Sequence, residues 1–226
     1  MIAITQDGSK AYVGNLGTFV TPGNTVSVID IGTDTVIGEI IVGRNPEAIA
    51  ITPDGSKVYV PNSNSSTVSV IDVATDKVIA TVPVGSGPAN VAITPDDTKL
   101  YVSNFNNPDD PGSTVSVIDA GTNTVINEVS VGLGPTGMAI TPDGSKLYVA
   151  NFGSISNPRD TVSVIEVATD TLIKEVEVGV GPTAIAITPD GKRAHPARRR
   201  KCGKEFLFLR PLSGGRLGQR IRKKIL

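Results

Sequence analysis

Residues 48–84 read AIAITPDGSKVYVPNSNSSTVSVIDVATDKVIATVPV, and nearly everything from Met1 to Gly191 is this unit written again. The segment IAIT begins at Ile2. Its copies begin at Ile49, Val91, Met138 and Ile185, with spacings of 47, 42, 47 and 47 residues. A fixed period in this range marks a repeat architecture, and a unit rich in short strands points to propeller blades rather than helical solenoids. The short spacing has a local origin. Nine residues separate the Asn of Tyr-Val-x-Asn from the next Thr-Val in three copies, and the second copy is shorter there. Strands stay constant while the loop varies, as expected where loops tolerate insertion.

Each copy holds four strand-like runs, which in the second are 48–52, 57–61, 67–72 and 77–84. They are rich in Val, Ile, Thr and Tyr and bounded by turn residues. Pro53-Asp54-Gly55 closes the first hairpin: Pro sets φ, Asp bonds the local backbone and Gly takes positive φ. The segment 72–76 closes the second. In TVSVID one face carries Val68 and Val70 and the other Ser69 and Ile71, with no charge on either. A sheet apolar or small on both faces must be covered on both, which neighbouring blades accomplish in a ring. Lys77 and Pro83 suit the outermost, exposed edge. The expectation is an all-β propeller of four-stranded antiparallel blades at about 2–42, 48–84, 90–131 and 137–178, with one extra strand at 184–191. Repeats that run off both ends fit an arc of a larger ring, with apolar blade faces available for self-association. A closed four-blade ring is the alternative.

Composition limits the chemistry. Trp is absent, so the core is built from Val and Ile, and all four tyrosines (Tyr12, Tyr59, Tyr101 and Tyr148) share one slot of the repeat. That slot reads as structural, with the ring between blades and the hydroxyl at solvent or a backbone group. No apolar run has the length of a membrane span, and no signal peptide is written at the start. Residues 192–226 hold 13 of the 21 Lys and Arg but one acid, whereas residues 1–191 hold 8 bases against 21 acids. This basic end, which breaks the repeat at His195 where Tyr is due, reads as a separate, out-of-frame or disordered tail without blade strands. A basic arm for nucleic acid, or a tail docking on its own acidic propeller, are the alternatives.

The recurring YVGN, YVPN, YVSN and YVAN, preceded by ITPDGSK-like and followed by TVSVI-like segments, resemble the YVTN-repeat β-propellers, including YncE-type and archaeal surface-layer proteins. The resemblance covers about residues 2–191. It implies a ring of about seven blades, an exported or cell-surface (extracellular or periplasmic) setting, and no family catalytic signature to transfer.

The only His is His195 and the repeats contain no Cys, so a His-ligated metal, a haem or a Ser–His triad cannot be assembled from residues 1–191. No catalytic, cofactor-binding or metal residue is assigned, and no cofactor is expected. Asp7, Asp54, Asp96, Asp143 and Asp190 recur at the first hairpin, and Asp34, Asp76 and Asp170, with Asn123, at the second. Both turns fall on one face of the disc, where turn formation is the plain reading and an acidic rim for divalent cations the sharper one. The opposite face carries the strand 2–3 loops and the Gly-x-x-Pro crossovers. Phe19, Phe105, Asp109, Asp110, Phe152, Arg159 and Asp160 lie on those loops and are the candidate partner-binding residues, for a protein or surface glycan. The competing role for each Phe is a lid folded onto its own blade. The reading is a non-enzymatic interaction module; the alternatives are a metal-dependent lactonase- or hydrolase-like propeller, or nucleic-acid binding through the tail.

Overall fold

Each copy of the repeat folds into a meander of short antiparallel strands in a computed structural model that describes residues 1–18, 20–107 and 109–198. The first blade comprises β1 (Ile2–Ile4), β2 (Lys10–Gly17), β3 (Pro22–Asp30) and β4 (Thr35–Ile41). The second comprises β5 (Ala50–Ile51), β6 (Lys57–Asn62), β7 (Thr67–Asp72) and β8 (Lys77–Pro83). The third holds β9 (Pro88–Ile93), β10 (Lys99–Asn106), β11 (Pro111–Asp119) and β12 (Thr124–Ser130). The fourth holds β13 (Pro135–Ile140), β14 (Lys146–Gly153), β15 (Pro158–Glu166) and β16 (Thr171–Glu177). Within every blade the spatial order equals the chain order. Between the third and fourth strands of each blade the register slips by one residue, as at Val70/Ile71, a bulge that adds local twist.

The apolar core lies between blades rather than within them. Val58, Val60 and Ile71 of the second blade close over Tyr12, Val26, Val28 and Ile40 of the first. Val68 and Val70, on the other side of the same sheet, meet Val91, Leu100 and Ile118 of the third. Tyr101, Val115 and Val117 then meet Leu147, Val149 and Ile165 of the fourth. Both sides of an uncharged sheet are thus removed from water by copies of itself. At the start of the arc the same positions are bare: Ile2 and Ile4 are 61% and 58% exposed, whereas their counterparts Ile49 and Ile51 pack on the first blade. The fold is therefore an open β-propeller arc, and the closed four-blade ring is not what forms.

The fifth unit departs from the expected single strand. β17 (Pro182–Ile187) pairs antiparallel with β18 (Ala194–Arg198), with Ala186 opposite His195 and Ile187 opposite Ala194. The ladder thus runs past residue 191, through the change of composition. The reason is that the turn chemistry is intact. Thr188 Oγ1 donates to Asp190, Asp190 accepts the Lys192 amide at 3.1 Å, and Gly191 takes φ 68°. Beyond that turn a ladder needs only backbone N–H and C=O groups. Pro196, which lacks the N–H, sits on a strand paired on one side only among the described residues. The basic segment from 199 to 226 lies outside the described residues. Among the described residues no helix is long and apolar enough to cross a membrane.

Candidate functional site

The first hairpin turns all use Asp in the same way. Asp7, Asp54, Asp96, Asp143 and Asp190 each accept the backbone amide two residues on, at 2.9–3.1 Å. These bonds stabilise the ionised carboxyl. The Thr5 hydroxyl and then the Ser9 amide hold Asp7 down at about 2, and Thr141 and then Ser145 do the same for Asp143. In the third blade Asp97 replaces the turn glycine at φ 60° and accepts the Asp54 amide of the second blade at 2.9 Å. A depression of about 420 Å³ lies at the turns of the first two blades, bordered by Asp7 and Asp54. Among the described residues no three His, Cys, Asp or Glu side chains come together as a metal site.

The second set of turn acids has a role that turn formation alone does not require. Asp76, at φ 53°, points back to the first blade, where Lys10 Nζ lies 2.7 Å from Oδ2 and the Tyr12 hydroxyl donates to Oδ1 at 2.5 Å. Lys99 and Tyr101 of the third blade make the same two contacts with Asp170 of the fourth, at 2.7 and 2.5 Å. Between the second and third blades Asn123 takes the acceptor position. The Tyr59 hydroxyl donates to its Oδ1 at 3.1 Å, while Lys57 Nζ turns to the Ala120 carbonyl at 2.5 Å. Lys-x-Tyr on one blade thus latches onto the outer hairpin of the next. The partner of the tyrosine is a side chain of the neighbouring blade, not only the solvent or backbone group that its slot suggested. Burial, reinforced by these acceptors or nearby acids, raises the phenols of Tyr12 and Tyr101 well above the usual range and pushes Tyr59 up to about 12.

The Asn of Tyr-Val-x-Asn organises the opposite face. Nδ2 of Asn15, Asn62, Asn104 and Asn151 donates to the Thr and Ser of the following TVS segment at 2.9–3.2 Å. A crossover glycine packs directly on this amide in three joints; a Cβ on Gly85 would lie 2.3 Å from Asn104 Nδ2. Just beyond that Asn, the amides of Phe105 and Phe152 donate to the Gly87 and Gly134 carbonyls of the crossovers at 3.0 and 2.8 Å. The two phenylalanines are thereby held on rigid backbone.

The structure brings together part of the expected set. The Phe105 and Phe152 rings meet across the third and fourth blades, centroids 6.4 Å apart and tilted by 49°. Each is half-buried, so neither is a free side chain nor a complete lid on its own blade, and the Phe152 ring edge lies against Gly181. Asp109 and Asp110 are exposed on a loop closed by Asn107, whose side chain accepts both of their amides at 3.0 and 2.9 Å. Arg159 and Asp160 are exposed on β15, where their carbonyls accept the Gly181 and Val178 amides. The ion pairs among the described residues are Lys10–Asp76 and Lys99–Asp170, so Arg159 stands outside them. Phe19 lies outside the described residues.

Several residues of this face escaped the sequence reading. The slot after the Asn holds Leu16, Ser63, Phe105 and Phe152 in the four blades, an alignment the repeat already contained. Val20, Ile155 and Val180 add exposures of 86%, 68% and 54% on neighbouring loops. Glu47 occupies the crossover of the shortened second copy, accepts the Ser63 hydroxyl at 2.9 Å, and has its carboxyl raised by burial.

No family model and no curated protein matches the sequence. Solved structures do. Kuenenia stuttgartiensis hydrazine synthase is similar over 85% of this chain, with 29% identity and a TM-score of 0.76. A functionally unknown protein from Desulfotomaculum acetoxidans DSM 771 is similar over 87% of it, with 18% identity and a TM-score of 0.71. The chain spans about half of the hydrazine synthase chain (53%) and 62% of the other. Both likenesses agree with a β-propeller arc.

Proposed function

We propose that this chain is a non-enzymatic scaffold of the YVTN-repeat, YncE-like kind that binds a partner through the strand 2–3 loops, in a cell-surface or exported setting. The observation that carries the reading is the Phe105–Phe152 pair: two half-exposed aromatic rings joined across a blade boundary, on backbone pinned by the crossovers. Aromatic side chains on a rigid base bury large area at low cost in conformational entropy, which favours them as anchors of recognition. The exposed Asp109, Asp110, Arg159 and Asp160 supply a polar rim. The resemblance of the repeat motifs supports the surface or exported setting.

The test is affinity capture of cell-envelope and secreted proteins and glycans on the immobilised full chain, beside a Phe105→Ser/Phe152→Ser/Arg159→Ala variant. Serine already occupies this slot at Ser63, so the variant retains the blades, which its circular dichroism checks. Selective loss of a captured partner is expected; a partner retained equally by both proteins refutes the reading.

A further inference from the structure

The face that carries Phe105 and Phe152 is also the face from which the chain leaves its last described strand. β18 is the second strand of its unit, and its last residue, Arg198, pairs with Pro182. Pro182 follows Gly181, whose position is in contact with the Phe152 ring. Residue 199 therefore starts next to the aromatic pair, on the loop face rather than on the face of the Asp turns.

The chemistry of residues 199–226 complements that face. They hold ten Lys and Arg against one Glu, whereas residues 1–198 hold eleven against twenty-one acids. Their most apolar run, Phe206-Leu207-Phe208-Leu209, is bracketed by Lys201 and Lys204 on one side and Arg210 on the other. On the loop face, apolar side chains (Phe105, Phe152, Ile155 and Val180) are accompanied by the exposed acids Asp109, Asp110 and Asp160. Eight residues separate Arg198 from Phe206, and an extended chain of that length spans up to about 27 Å. The aromatic pair is well within that reach. Exposed apolar patches flanked by charge favour a partner with an apolar centre and opposite charges beside it.

We propose that the chain's own segment 204–210 docks on the Phe105–Phe152 platform, its phenylalanines against the rings and its cations against the acidic loops. An external partner then has to displace it. This rests on reading the loop face as a binding surface, and it specifies the chemistry of the ligand: a cationic segment with an aromatic and aliphatic centre.

Cys202 is the only cysteine, four residues from Phe206, so the full chain can carry one nitroxide beside the proposed ligand. Docking slows the label on the order of tenfold relative to Phe206→Ser/Phe208→Ser, from the motion of a free chain to the tumbling of the domain. It also broadens the amide resonances of Phe105, Phe152 and Ile155. Phe105→Ser/Phe152→Ser frees the label as well, and raised salt weakens its hold. Equal mobility in the wild-type chain and Phe206→Ser/Phe208→Ser overturns the proposal, as does broadening centred on the Asp7 and Asp54 turns. Broadening carried from a labelled to an unlabelled molecule in a mixed sample overturns it too, by assigning the segment to a second copy. Nucleic acid that leaves the broadening unchanged while binding the tail also counts against it. The tail variants alter no residue of the platform. Partner capture that survives in them while the label is mobile refutes docking and leaves the binding face standing.

Discussion

Replacing Asp170 by Ala takes away both halves of the acceptor that ties the fourth blade to the third. The Tyr101 hydroxyl loses its 2.5 Å bond, and Lys99 loses an ion pair of 2.7 Å. Tyr101 is fully buried, so its hydroxyl is left without that acceptor away from water, at a cost of about 1–3 kcal/mol. Lys99 is about a quarter exposed and keeps the Val167 carbonyl at 3.1 Å, so screening limits its share to roughly 0.5–1 kcal/mol. Asp170 also has φ 51°, where Ala costs a further ~1 kcal/mol. The expected loss is about 3–4 kcal/mol in all, or a Tm lower by roughly 6–14 °C at this chain length. Asp170→Asn separates the terms, because Asn adopts the same backbone and already serves as the acceptor at Asn123. It should lose only about 1 kcal/mol, the charge-assisted part. Urea unfolding of wild type, Asp170→Asn, Tyr101→Phe and the double variant completes a cycle that isolates the coupling. Stacked blades need not unfold in one step, so the transition is followed by both circular dichroism and tyrosine fluorescence. A coupling energy indistinguishable from zero refutes the latch, as does a Asp170→Ala variant no weaker than Asp170→Asn.

Two further outcomes follow from the turns and the crossovers. Asp7 and Asp143 have folded pKa values of about 2, below the ~3.9 of an unfolded chain. Their contribution is present above that unfolded value and is lost as pH falls from about 4 toward 2. Urea midpoints should therefore drop across that interval, and Asp7→Asn/Asp143→Asn should flatten the drop; an unchanged slope in that variant contradicts the assignment. Gly85→Ala drives a Cβ to 2.3 Å from Asn104 Nδ2 and should destabilise by about 1–3 kcal/mol. Gly38→Ala, whose nearest contact is Val28 at 3.8 Å, should be neutral or stabilising by up to ~1 kcal/mol in the same thermal melts, and equal effects at both sites would contradict the packing argument.

The period and the alternation of Val, Ser and Ile in TVSVID were enough to place four strands in each copy and to require a cover on both sides of every sheet. That inference needs only local facts, since side chains alternate along a strand and an uncharged sheet must leave water on both faces. The recurrence of one Tyr slot and one Asn slot likewise marked them as structural. What those residues bond was not legible, because the bonds cross blade boundaries. Lys10 and Asp76 are 66 residues apart, and only the angle between stacked sheets brings them within 2.7 Å. The meeting of Phe105 with Phe152 is of the same kind, as is the exit of β18 beside Gly181. The composition change at the end of the repeat suggested that blade structure stops at residue 191. The tertiary structure decided otherwise, because a hairpin propagates through backbone hydrogen bonds once its turn is set, whatever side chains follow. Sequence by itself determined the unit, its strands and the need for neighbours. Which groups join one unit to the next, and which remain on the outside for a partner, was decided by packing, since both depend on distances between residues that the chain order keeps far apart.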